Sequence, residues 1–189
     1  MLRKETEIYL NNFAKYVIQQ SRSNLTKGGK NTTSDLYNSL DKEIEVGANS
    51  FRLAFLMEDY GKFQDKGVKG KDPSKVSPNA KITGQQAPNS PYKFGSGNYS
   101  GSWDKFVLSL EKWVKSKNLR LRDSKGRFTK GNTKTIAQIV ARNVYSRGIK
   151  PSLFFTTPFE KAFERLPDEL IEAYGLDVEQ FLQYTINNK

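Results

Sequence analysis

The chain has no cysteine and no histidine. Without cysteine there are no disulfides and no thiolate chemistry. Without histidine it lacks the usual general base near neutral pH and the commonest metal ligand. A zinc site of the usual kind and a Ser–His triad are therefore excluded. Apolar residues are also sparse, at 36%, and the mean hydropathy is -0.70. No apolar run approaches ~18 residues, so no transmembrane helix and no membrane partner are expected. The opening "MLRKETEIYLNN" lacks the apolar core of a signal peptide, and synthesis in a cytoplasm is expected.

What is present is aromatic and basic. The 189 residues include 12 Phe, 9 Tyr and 2 Trp. That length suits one domain carrying an insertion, with a small aromatic core among long polar loops. The formal net charge is +11, with a pI near 9.7, which favours polyanionic partners such as nucleic acid. The charge is unevenly laid out. Residues 112–134 hold nine Lys or Arg against Asp123 alone, whereas residues 158–189 hold seven acids against three bases. Copies of such a chain can meet acidic end against basic middle, a heterologous contact that closes into a ring when the rotation permits.

Helical periodicity runs over residues 3–26, with Tyr9, Phe13, Tyr16 and Val17 on one side. Thr33 or Ser34 is placed to cap a short helix through "DLYNSL". "KEIEV" and "FRLAFLM" alternate as strands, with "GANS" between them as a hairpin turn. Phe51, Leu53, Phe55 and Met57 share the expected inner face. In "EDYGKFQDKGVKG", Tyr60 and Phe63 are three apart, and Gly67 and Gly70 release the chain. Residues 68–102 are rich in Lys, Pro, Ser, Gly and Asn, and hold four of the seven prolines. A loop of that length is flexible, functional or ordered by a neighbour.

Two further helices are expected. "SWDKFVLSLEKWVKSKN" carries a stripe of Phe106, Val107, Leu110, Trp113 and Val114 behind a Ser102 cap. "TKTIAQIVARNVYSRG" carries Ile136, Ile139, Val140, Asn143 and Val144, with Gly148 as its stop. Between them, "LRLRDSKGRFTKG" reads as a basic hairpin or loop. The chain closes with one or two helices over residues 158–186, around Pro167 and Gly175. The fold class is α+β: helices packed on a small antiparallel sheet, with a long Pro/Gly-rich loop and a basic insertion spanning 68–133.

Three candidates for chemistry stand out. Glu58, Asp59 and Asp65 can be imagined around a hard cation, but the interleaved Lys62 and Lys66 make solvated pairs the simpler reading. "GGK" at 28–30 lacks the spacing and preceding strand of a phosphate loop. The segment holding Lys117, Arg120, Arg122, Lys125, Arg127 and Lys130 is the best polyanion or intersubunit candidate. Phe128 is placed there to stack or to anchor. Nothing in it suggests base readout, so any contact with DNA should be non-specific. The turn "KPSLFFTTPFEKAF" concentrates Phe154, Phe155 and Phe159, which suit either a core or an interface.

The order of these pieces resembles the tail-completion or neck (head–tail connector) proteins of tailed bacteriophages. "DLYNSL" is similar to the family's "tGrLrnSi" pattern after a long first helix. Tyr60, Phe63, Asp65 and Gly67 in "YGKFQDKG" resemble its aromatic-x-x-aromatic-acid-x-Gly motif. Pro151, Phe154, Phe155, Pro158 and Ala162 resemble its closing Pro-aromatic element, often "RPFLxPA". The likeness covers most of the chain by order of elements. The stretch between the two motifs is much longer than the family's, and the acidic tail is extended. The resemblance implies a structural virion protein at the head–tail junction, with no catalysis and no cofactor. It implies a homo-oligomeric ring on the order of six or twelve copies about a DNA channel. Portal, other neck or tail proteins and packaged double-stranded DNA would be its neighbours. The rival expectations are a non-specific DNA-binding accessory protein and a carboxylate–metal nuclease.

Overall fold

The structure, a computed structural model, describes residues 4–30, 33–47, 50–71, 84–96, 101–129 and 131–187. It is α+β. In chain order the elements are α1 (Lys4–Lys27), α2 (Asp35–Ser39), β1 (Asp41–Val46), β2 (Phe51–Leu56), α3 (Gly61–Lys66), β3 (Val68–Lys69), α4 (Trp103–Ser116), α5 (Thr133–Arg147), β4 (Gly148–Ile149), α6 (Thr156–Phe163) and α7 (Leu166–Asn187). They fall into two compact units. One comprises residues 1–61 and 153–189, the other residues 62–152. The expected insertion at 68–133 lies inside the second unit.

The first unit is built on α1. Leu10, Phe13, Ala14, Val17, Ile18 and Leu25 recur at helical spacing and are buried, while Tyr16 is half exposed. β1 and β2 pair antiparallel from Asp41↔Leu56 to Val46↔Phe51. The Gly47 N–H donates to the Ser50 carbonyl at 2.7 Å and closes the turn between them. Phe55 and Met57 pack against a core of Ile18, Leu25, Leu36, Leu40 and Phe154, which the expected alternation requires. Phe51, at the hairpin end of the same face, is 46% exposed.

The cap of α2 differs from expectation. Ser34 occupies the N-cap position in the left-handed region, φ 62°, and its hydroxyl makes no capping bond. Its carbonyl instead accepts the Asn38 N–H at 2.9 Å, so the backbone alone closes this single turn.

The closing segment forms two helices. Phe155, at the N-cap of α6, and Phe159 and Phe163 within it lie at i, i+4 and i+8. Their rings stack successively, with centroids 5.7 and 5.5 Å apart. Phe13 and Phe55 meet Phe159 edge-on at 6.1 and 5.9 Å. α7 then runs through Gly175 without a break and packs along α1.

In the second unit, α4 and α5 pack together around Val107, Val114, Ile136, Ala137 and Ala141. Ser102 caps α4 as expected, its hydroxyl accepting the Lys105 N–H at 3.2 Å. Gly148 ends α5 at φ 93°. The buried face of α5 is shifted from the expected stripe. Ala137 and Ala141 are fully buried, while Ile139 is 44% exposed. Two alanines on one face let the helix axes approach closely, so the larger Ile139 is turned outward.

Part of the expected flexible loop is tied down within the chain. The Lys69 N–H donates to the Tyr92 carbonyl at 2.8 Å and the Phe94 N–H to the Lys69 carbonyl at 2.9 Å. The Gln86 N–H donates to the Arg147 carbonyl, and the Ser90 hydroxyl to the Gly67 carbonyl at 2.7 Å. These bonds tie Gln86, Ser90, Tyr92 and Phe94 of that segment to residues of the same chain. Residues 72–83 and 97–100 lie outside the described residues.

Candidate nucleic-acid interface

The basic segment folds as a small hairpin on the end of α4. Asn118 takes up a left-handed conformation, φ 48°, and the Leu119 N–H returns to the Val114 carbonyl at 3.1 Å. Leu121 then turns inward and packs on the α4–α5 core. The two arms meet at an antiparallel bridge between Arg122 and Phe128, and the Thr129 N–H donates to the Leu121 carbonyl at 3.0 Å.

Asp123, the one acid of the segment, organises the turn. Its carboxylate oxygen Oδ1 accepts the N–H groups of Lys125 and Arg127, each at 2.9 Å. Its carbonyl accepts the Gly126 N–H at 3.0 Å. The Arg122 guanidinium donates to the Gly126 carbonyl at 2.9 Å and lies over the Phe128 ring, 4.2 Å from its centroid. The Arg120 guanidinium lies 5.9 Å from the same centroid. Phe128 is 60% exposed, although it holds two cations against its ring. Lys117, Arg120, Arg122, Lys125 and Arg127 are all exposed. Lys130 lies outside the described residues. The result is a pre-ordered cationic surface with an aromatic face, suited to phosphates or carboxylates.

The motif residues sit in defined places. Tyr60 is 44% exposed; burial, followed by the charge of Asp35, raises its phenol above the ordinary value. Phe63 meets Tyr92 edge-on at 4.7 Å, with the Lys62 ammonium 5.4 Å from its centroid. Asp65 is buried. Gly67 lies at φ 73°, and a Cβ there would stand 2.5 Å from the Ile149 carbonyl oxygen and 2.8 Å from the Pro151 nitrogen. The Ser152 N–H and hydroxyl both donate to the Gln64 carbonyl, at 3.1 and 2.6 Å. Phe154 is 1% exposed and Pro158 is buried, whereas Phe155 and Phe159 are half-buried. The aromatic turn is thus core at Phe154 and grades outward to Phe163 at 48% exposure.

Sequence reasoning missed a cationic cleft on the first unit. Lys15, Arg22, Lys27, Tyr37 and Lys42 line a depression of about 640 Å³. Arg22 donates to the carbonyls of Tyr37 and Leu40, each at 3.0 Å, and is thereby committed to holding α2. Burial, and then the charge of Lys15, lowers the Lys42 pKa. The seven-residue spacing of Lys15 and Arg22 on one helix was the available signal. Among the described residues no group of three or more Asp, Glu, His or Cys is arranged to hold a metal ion. Nor is any helix of them long and apolar enough to cross a membrane. No family model, no curated protein and no solved structure matches the chain.

Proposed function

We propose that this protein is a structural component of the head–tail junction of a tailed bacteriophage, assembled as a closed homo-oligomeric ring. It would extend the portal channel and present a platform to tail proteins, and its work would be mechanical. The observation that carries this reading is the meeting of two of the short motifs on which the resemblance rests. Gly67 closes the first and Pro151 opens the second, 84 residues later in the chain. β3 and β4 pair beside them, and no room for a Cβ remains between them. Two degenerate motifs that depend on one another in space are a stronger indication than two matched separately. The dipolar layout of charge supports head-to-side assembly.

A second reading, a non-specific DNA-binding accessory protein, is favoured by the Arg120–Arg122–Phe128 surface. Light scattering or native mass spectrometry on the purified chain, alone and with portal, separates the two. A closed ring, or a monomer that becomes one on the portal, is expected. A monomer indifferent to portal that binds duplex DNA would overturn the ring. Its affinity would fall with salt at a log–log slope of about -4.5 if five cations reach phosphates.

A further inference from the structure

α7 has two faces of opposite use. Leu166, Leu170, Ala173 and Asp177 recur at helical spacing, and Ala173 and Asp177 are buried. On the other side Ile171, Tyr174, Gly175 and Val178 recur at i, i+3, i+4 and i+7. Ile171 is 70% exposed, Tyr174 46% and Val178 41%. A contiguous apolar stripe of this kind on an exposed helix face marks an interaction surface.

Gly175 adds an independent observation. It stands inside a continuous helix, where glycine is the worst former after proline. No atom lies within 4 Å of the place its Cβ would take. Nothing within the described residues therefore crowds a side chain out of this position. The position is open to a partner that approaches the helix backbone closely.

The chemistry of that partner follows from the flanking charge. Asp168, Glu172 and Glu179 run in a line beside the stripe, and no Lys or Arg occurs anywhere in Leu166–Asn187. Two α7 stripes packed on one another would bring like charges together, which is unfavourable. The hairpin over residues 117–129 has the opposite composition, five cations against one acid. It also presents the 60% exposed ring of Phe128 beside two of those cations.

We infer that the outward stripe of α7 receives the Arg120–Arg122–Phe128 face of the hairpin of a second copy of this chain. The Phe128 ring lies over Gly175 between Ile171 and Val178, and the two guanidiniums meet the acidic line. Every copy carries both surfaces, so the contact is heterologous and propagates around a ring. The inference rests on the ring reading and deepens it, because it assigns the hairpin to a neighbouring subunit rather than to DNA.

The absence of cysteine makes the test direct. Full-length Leu176→Cys and Ser124→Cys variants are mixed and treated with a short-armed bismaleimide. Mixed dimers are expected at least tenfold above either like pair. Ile171→Asp should abolish them and lower the assembled mass. Arg120→Glu with Arg122→Glu should do the same, and adding Glu172→Arg and Glu179→Arg should restore assembly. If the wild type assembles but like pairs dominate, or cross-links map elsewhere, this contact is wrong while the ring stands. If the hairpin reversal leaves the assembled mass unchanged and weakens duplex DNA binding, the hairpin faces DNA and the inference fails. A wild type that stays monomeric with and without portal removes the ring reading and this contact together.

Discussion

Asp177, in the middle of α7, is the N-terminal cap of α1. One of its carboxylate oxygens accepts the Thr6 N–H at 2.9 Å and the Thr6 hydroxyl at 2.6 Å, and the other accepts the Glu5 N–H at 3.0 Å. The two residues are 171 apart in sequence, and both are almost fully buried. The first turn of any helix leaves N–H groups without intrahelical acceptors, and a carboxylate there also meets the positive end of the helix dipole. The chain's last long helix thereby supplies what its first helix cannot supply for itself.

Asp177→Ala should therefore cost about 2–4 kcal/mol, because the buried donors of Thr6 lose a charged acceptor. Asp177→Asn keeps one acceptor oxygen and should cost about half as much. Urea unfolding followed by circular dichroism measures both. Equal, near-zero losses would show that the cap does not hold the helices together.

The same comparison can be made at two glycines of like backbone geometry. Gly67→Ala should destabilise by about 3 kcal/mol or more, from left-handed strain together with a clash against backbone. Gly126, at φ 77°, has nothing within 4 Å of its missing Cβ. Gly126→Ala should cost about 1 kcal/mol, from strain alone. Denaturant midpoints for the pair test whether close packing at the two motifs, rather than backbone angle, sets the cost.

Alkaline titration reads a different contact. The Tyr9 hydroxyl bonds the Glu169 carboxylate, and burial, that hydrogen bond and that charge together raise the phenol well above its ordinary pKa. A raised folded-state pKa adds stability that is fully present below the unfolded value of about 10 and is lost as pH rises above it. Phenolate absorbance should show a late step from Tyr9, beside that of Tyr60, whose phenol burial also raises. Tyr9→Phe should remove that step and lessen the loss of stability above pH ~10. An unchanged absorbance profile would sink the assignment.

The aromatic turn should show a gradient. Phe154→Ala is expected to cost about 3–5 kcal/mol, since its ring is enclosed. Phe155→Ala, half-buried against the same core, should cost about 1–2 kcal/mol. Phe163→Ala, at the exposed end of the ring stack, should stay within about 1 kcal/mol. Thermal or denaturant unfolding of the three variants checks the order, and a reversed order would mean that the core is built differently.

Much of this was readable from residue pattern. The helical spacing of Tyr9, Phe13, Tyr16 and Val17 located α1, and the alternation around Phe55 located β2. The Gly148 stop and the Ser102 cap were legible because each acts within a few residues of its own position. Ile139 was misplaced because periodicity cannot see which side chains a partner helix leaves room for. The capping role of Asp177 carried no local signal at all. It is one acid among seven in an acidic tail, and only its position opposite the α1 N-terminus sets it apart. The cationic cleft was missed for the same reason, since Lys42 joins Lys15 and Arg22 only once β1 lies beside α1.

Composition and short-range pattern were enough to exclude thiol and histidine chemistry, to place the helices and the β1–β2 hairpin, and to separate a basic middle from an acidic end. Those properties depend on residue type and on neighbours within one or two turns. Tertiary structure alone decided that Gly67 lies against Pro151 and that Asp177 caps α1. It also decided that Phe154 is enclosed while Phe128 stands exposed between two arginines. Each of these depends on contacts between residues distant in the chain, or on which face of a local element the rest of the fold happens to cover.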